Sequence, residues 1–96
     1  MGTINLGIQI VPKSRKIDSY ELVDRAIAVI AASGVKYEVN PFETVMEGPE
    51  EHLLAIAKKA QEAVVEAGAE EVLVYYRMHI RPGQDVRMED KTNPHR

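Results

Sequence analysis

The run from Ser33 to Gly48 constrains the fold more than any other part of this chain. It reads in order as a helix stop at Gly34, a short strand over Tyr37 to Val39, and a turn at Asn40-Pro41. A second strand over Glu43 to Glu47 and a new helix start follow. Gly34 suits the left-handed position that closes a helix. Proline cannot donate to a strand ladder, so Pro41 marks a turn or bulge. Gly48-Pro49-Glu50-Glu51 opens a helix, with proline suited to the first helical position and two carboxylates opposing the positive end of the dipole. A hairpin between two helices leaves few ways to complete a domain of 96 residues.

The flanking segments complete the pattern. Ile4, Leu6, Ile8 and Ile10 alternate with Asn5, Gly7, Gln9 and Val11, the period of a strand with one strongly apolar face. Pro12 ends it, and Lys13 to Lys16 is a basic connector. Asp18 is a helix cap with Glu21 at the capping-box distance. Val23, Ala26, Ile27 and Ile30 then recur at helical spacing. In the second helix Leu53, Ile56, Ala57, Ala60, Ala63, Val64 and Ala67 form the stripe to be buried, and Gly68 ends it. A last strand alternates Val72, Val74, Tyr76, Met78 and Ile80 with Leu73, Tyr75, Arg77, His79 and Arg81 until Pro82-Gly83.

The order β-α-β-β-α-β, with right-handed crossovers, predicts an α+β ferredoxin-like sandwich. It has a four-stranded antiparallel sheet in spatial order 4-1-3-2 and two helices on one face. Residues 1–82 form the domain. Residues 83–96 are a polar tail, with a helical turn around Met88 to Lys91, expected to order against a neighbouring subunit.

Each helix has a single apolar stripe, so both cover one side of the sheet. The other side is bare: Asn5, Gly7, Gln9 and Val11 on the first strand, Leu73, Tyr75, Arg77, His79 and Arg81 on the last. A chain this short buries only about 60–65% of its unfolded surface. Bare apolar sheet therefore favours pairing between copies, sheet to sheet or edge to edge, and the last-strand residues are the expected oligomer contacts.

Composition narrows the function. There is no cysteine, which excludes disulfides, thiolate metal sites and a cysteine nucleophile. The net charge of −3 argues against bulk nucleic-acid binding. The N-terminus has no basic region followed by a long apolar run, and no stretch approaches the roughly 18–20 apolar residues of a membrane span. A cytoplasmic protein is expected. His52, His79 and His95 lack ligand spacing, so no metal is expected. Ser14, Ser19 and Ser33 have no nucleophile context, and phosphate-cradling glycine loops are absent. No cofactor is implied.

The Ser33-Gly34, Tyr37, Pro41, Thr44 and Glu47-Gly48 spacing resembles the signature of the thiamine-binding protein family, also grouped as UPF0045 or DUF77. The likeness extends to Ile10-Val11-Pro12, to Glu66-Ala67-Gly68 and to the ending Met88-Glu89-Asp90-Lys91. It continues through Arg77-Met78-His79-Ile80-Arg81, where the family usually has Lys-Ile-Asp-x-Arg. The resemblance implies the ferredoxin-like fold, a homotetramer built as a dimer of dimers, and binding of thiamine or its hydroxymethyl-pyrimidine portion without catalysis. Glu71 stands where the family usually has arginine, and His79 where it usually has aspartate.

Against that background, Glu47 is the leading ligand candidate. A carboxylate can accept from an exocyclic amine, pair with a protonated ring nitrogen, or face a thiazolium cation. Otherwise it is a strand-end carboxylate that helps start a helix. Thr44 can serve the same pocket or simply suit a strand. Tyr37 and Phe42 can stack on a planar ring or pack in the core or at a subunit contact. Asn40 serves the turn or the ligand, and Gln9 orients a ligand or bonds across an interface. Arg77, His79 and Arg81 read as an intersubunit salt-bridge row, or as a row that meets a phosphate. Two other functions stay open: a regulatory or scaffolding oligomer without a small ligand, and a small enzyme using His79 or a tyrosine on the open sheet.

Overall fold

A computed structural model describes residues 2–96. The elements are β1 (Ile4–Lys13), α1 (Ser19–Ala32), β2 (Lys36–Val39), β3 (Thr44–Gly48), α2 (Glu50–Glu66), β4 (Glu71–His79) and α3 (Met88–Thr92), followed by a 3-10 turn, Asn93–His95. The strands lie in the order β2-β3-β1-β4, and every neighbouring pair is antiparallel. This is the expected 4-1-3-2 order read from the other edge. No described helix is long and apolar enough to cross a membrane.

The core lies between the sheet and α1 and α2. Leu6, Leu22, Ile30, Met46, Leu53 and Val64 are fully buried there. Ala57 and Ala60 are buried on α2, so their small side chains let that helix approach closely. On α1 the buried set is Leu22, Ala26 and Ile30. Ala26 and Ile30 are buried as expected, Leu22 is buried in addition, and Val23 and Ile27 are half-buried. The helix serves two neighbours, packing on α2 as well as on the sheet, so its buried line differs from the centre of its apolar arc.

Boundaries move in physically readable ways. Gly34 follows α1 at φ 84°, the left-handed conformation expected of it. Asp18 occupies the N-cap of α1 without a side-chain cap bond. Pro49 is the N-cap residue of α2, one position earlier than expected. β1 runs past Pro12 to Lys13, because Lys13 still pairs with Glu71.

Two features differ from the sequence expectation. Tyr76, Met78 and Ile80, on the face meant for the helices, remain well exposed. Among the residues of that face, only Val72 and Val74 pack against the core cluster. Tyr76 reaches back with its hydroxyl, which donates to Gln61 Oε1 on α2 at 2.7 Å. The tail, expected to order against a neighbour, packs on its own chain. The Val86 N–H donates to the Thr3 carbonyl at 3.0 Å, and Asn5 Nδ2 donates to the Val86 carbonyl at 3.0 Å. Val86 and Met88 are buried, and Asn5, expected on the bare face, is only 4% exposed.

Candidate functional site

Register places the open-face residues in cross-strand rows. One row holds Lys36, Glu47, Asn5 and His79; the next holds Glu38, Val45, Gly7 and Arg77. The tail covers the middle of the first row, at Asn5 and Glu47, and meets the second only where Arg96 pairs with Glu38. A cleft of about 270 Å³ remains between the open sheet face and α3. Gly7 and Val45 lie in its floor, Met88, Lys91 and Thr92 bring α3 to it, and Glu38, Asn40, Glu43, Arg77 and His79 border it.

Gly7 makes the cleft. A Cβ built there would lie 2.3 Å from Glu43 Oε1, so the missing side chain is the space into which the Glu43 carboxylate folds. Glu43 sits at the end of the β2–β3 turn, which closes where the Asn40 N–H donates to the Glu43 carbonyl at 3.0 Å. From there its side chain crosses β1. Arg77 Nη1 on β4 lies 3.6 Å from Glu43 Oε2 on the far side of Gly7. The acid is 23% exposed and the guanidinium-bearing side chain 80% exposed, so the pair has an inner anion and an outer cation.

The tail forms the other wall through charged contacts. Glu47 Oε1 accepts the Met88 N–H at 2.6 Å, at the start of α3. Lys36 pairs with Glu89 at 3.8 Å, and Arg96 pairs with Glu38. Burial holds the Lys91 ammonium below its usual range; nearby Arg81 adds to this and Glu47 opposes it. The cleft thus carries both signs of charge over a floor that is flat and partly apolar.

Of the candidates named from sequence, Asn40 borders the cleft and Gln9 lies on the same sheet face, next to Gly7 on β1 in the outward direction. Glu47 lies in the tail-covered row and is engaged by Met88. Thr44 and Tyr37 are on the other side: Thr44 is opposite Ile8 and buried, and Tyr37 is opposite Met46. Phe42 is at the hairpin tip and 82% exposed. Leu73, Tyr75, Arg77 and His79 share the open face of β4, with Arg81 just beyond the strand, and Arg77 and His79 also border the cleft. Sequence reasoning did not nominate Asn5, Gly7, Glu38, Glu43, Val45, Met88 or Lys91. One signal was available, a lone glycine inside an otherwise apolar-alternating strand. Among the described residues no group of three His, Cys, Asp or Glu side chains is placed to hold a metal ion.

Comparison with known proteins places this geometry in context. A family model described as "Thiamine-binding protein" matches residues 6–96. A UPF0045 protein of Clostridium perfringens is 41% identical over 96 residues, covering 100% of both chains. A DUF77 domain structure from Bacillus cereus superposes with TM-score 0.95 at 40% identity, covering 99% of this chain and 91% of that one. A Thermotoga maritima structure, described as a candidate thiamine biosynthesis/salvage protein, gives TM-score 0.88 at 28% identity over 98% of this chain and 99% of that one.

Proposed function

The chain belongs to the thiamine-binding protein family, and from that premise we propose that it binds thiamine or its hydroxymethyl-pyrimidine portion, without catalysis, in the cleft beside α3. One observation carries the reading: the Glu43 carboxylate folded over Gly7, at the floor of the cleft beside α3. A planar pyrimidine lies over Val45, beside the Glu43 carboxylate that covers Gly7. Its exocyclic amine donates to Glu43, whose carboxylate also favours a nearby thiazolium cation. Asn40 and Gln9 orient the ring from the sides. Glu47 acts one step away, by holding the start of α3 against the cleft.

The protein works as a homo-oligomer, a dimer of dimers, and β4 is the contact we favour. It is an edge strand whose Leu73, Tyr75, Tyr76 and Met78 are exposed on both faces. Pairing that edge with a second copy satisfies its free backbone groups and buries those side chains together. The role is delivery, buffering or sensing of the vitamin inside the cell.

Calorimetry of the purified oligomer with thiamine and with hydroxymethyl-pyrimidine tests the reading. Saturable heat for either compound is expected. A folded oligomer that gives none at millimolar ligand leaves the scaffolding role instead.

A further inference from the structure

We propose that Arg77 is an internal counter-ion of the cleft, paired with Glu43 across Gly7 when no ligand is bound and displaced by a ligand that brings its own positive charge. The inference rests on the binding reading above and adds the basis of selection: a cationic heteroaromatic ligand over its neutral fragment.

The geometry separates the two partners in kind. Glu43 is the inner partner: its side chain is 23% exposed and its carboxylate fills the space over Gly7. Arg77 is not held. It stands on an edge strand, its side chain is 80% exposed, and at 3.6 Å it is close enough to neutralise Glu43 without a short hydrogen bond. Exposed pairs of this kind are weak, because solvent screens them and the long side chain loses freedom to form them. A weakly held outer cation over an inner anion is readily exchanged. An incoming thiazolium replaces the guanidinium at Glu43 while Arg77 swings into water, so charge over the carboxylate is conserved through the exchange. A neutral pyrimidine offers Glu43 a hydrogen bond but no charge, so it gains less than a cation does by expelling Arg77.

The test compares thiamine with hydroxymethyl-pyrimidine by calorimetry, in wild type, Arg77→Met and Glu43→Gln, at a pH well above protonation of the pyrimidine. Subunit count is checked for each variant, since Arg77 lies on the proposed oligomer strand. Removing the competing cation is expected to raise the thiamine-to-pyrimidine affinity ratio by about two- to fivefold, the scale of an exposed ion pair. Glu43→Gln is expected to lower the same ratio. An Arg77→Met ratio that falls or stays level, in a protein that still binds both compounds, overturns this inference and leaves the binding reading standing. A wild type that binds neither compound overturns both.

Discussion

Glu47 and Met88 are joined across 41 positions of sequence by one short bond, Met88 N–H to Glu47 Oε1 at 2.6 Å. The carboxylate supplies a charged acceptor to the first N–H of α3, where a helix leaves its donors unpaired. It therefore fixes where the tail stops on the sheet, and so where the cleft begins.

Replacing Glu47 with alanine should loosen the tail before it touches the domain. A hydrogen bond to a charged group contributes about 1.5–3 kcal/mol, an upper range here because Glu47 is only part-buried. Limited proteolysis is expected to cut within residues 83–96 much faster in Glu47→Ala than in wild type, with the melting temperature lowered. Equal protection of the tail in both proteins would remove the latch from the account. Thiamine affinity should fall with the loss of the α3 wall.

Gly7→Ala should damage the site more than the fold. The new Cβ meets the flexible end of Glu43 at 2.3 Å, so the carboxylate moves aside while the backbone stays. We expect a stability change under about 1 kcal/mol, because only an exposed ion pair is disturbed. Thiamine binding is expected to weaken by at least about tenfold, the loss of one charge-assisted contact. Calorimetry beside a thermal melt separates the effects. Full affinity in a stable Gly7→Ala protein would mean the ligand does not use the Glu43 carboxylate placed over Gly7.

How much of this was written in the sequence depends on the kind of contact. Alternation along Ile4–Ile10 and Val72–Met78 assigned the strand faces, since cross-strand register follows parity, and element order then determined topology; burial departs from parity where the tail covers Asn5. The same parity separates Thr44 from Glu47: residues three apart on a strand point to opposite faces, so a motif compact in sequence is split by the sheet. Alternation cannot say how far a helix reaches sideways, and Tyr76 and Met78 are left uncovered for that reason. The tail was least legible. Two of its anchors are backbone groups of Val86 and Met88, which nearly every residue type presents alike, and its ion pairs Lys36–Glu89 and Arg96–Glu38 join residues far apart in sequence.

The exposed side chains of β4 predict a measurable interface. Leu73→Asp together with Tyr75→Ser puts a charge and a small polar group on the open face of the edge strand, opposite Val11 and Gln9 of the same sheet. Buried in a contact between copies, an unpaired carboxylate is costly. Native mass spectrometry is expected to show fewer subunits than wild type, with circular dichroism unchanged because neither residue is in the core. An unaltered subunit count would exclude the open face of β4 from the contact.

Stability should respond to pH at both extremes, with opposite origins. Near the β1–α1 connector, the Arg15 guanidinium donates to Glu70 Oε2 at 2.9 and 3.1 Å, and its backbone N–H to Oε1 at 2.6 Å. The guanidinium first, and the N–H second, hold the Glu70 carboxyl below its ordinary 4.5. The folded state then binds fewer protons than the unfolded one. The stabilisation is present above 4.5 and is lost as pH falls from there through the folded value. Lys91 runs the other way. Burial first, then Arg81, lowers it from 10.5 against the pull of Glu47, so the folded state sheds this proton before the unfolded chain does. Stability from this group rises as pH climbs from the folded value to 10.5 and is level beyond. Arg15→Met is expected to flatten the acid side of a melting-temperature profile, and Lys91→Met the alkaline side. Each variant should leave the other limb as in wild type, because the two groups sit on different elements with no shared partner. Coincident acid limbs for Arg15→Met and wild type would show that Glu70 gains nothing from its arginine.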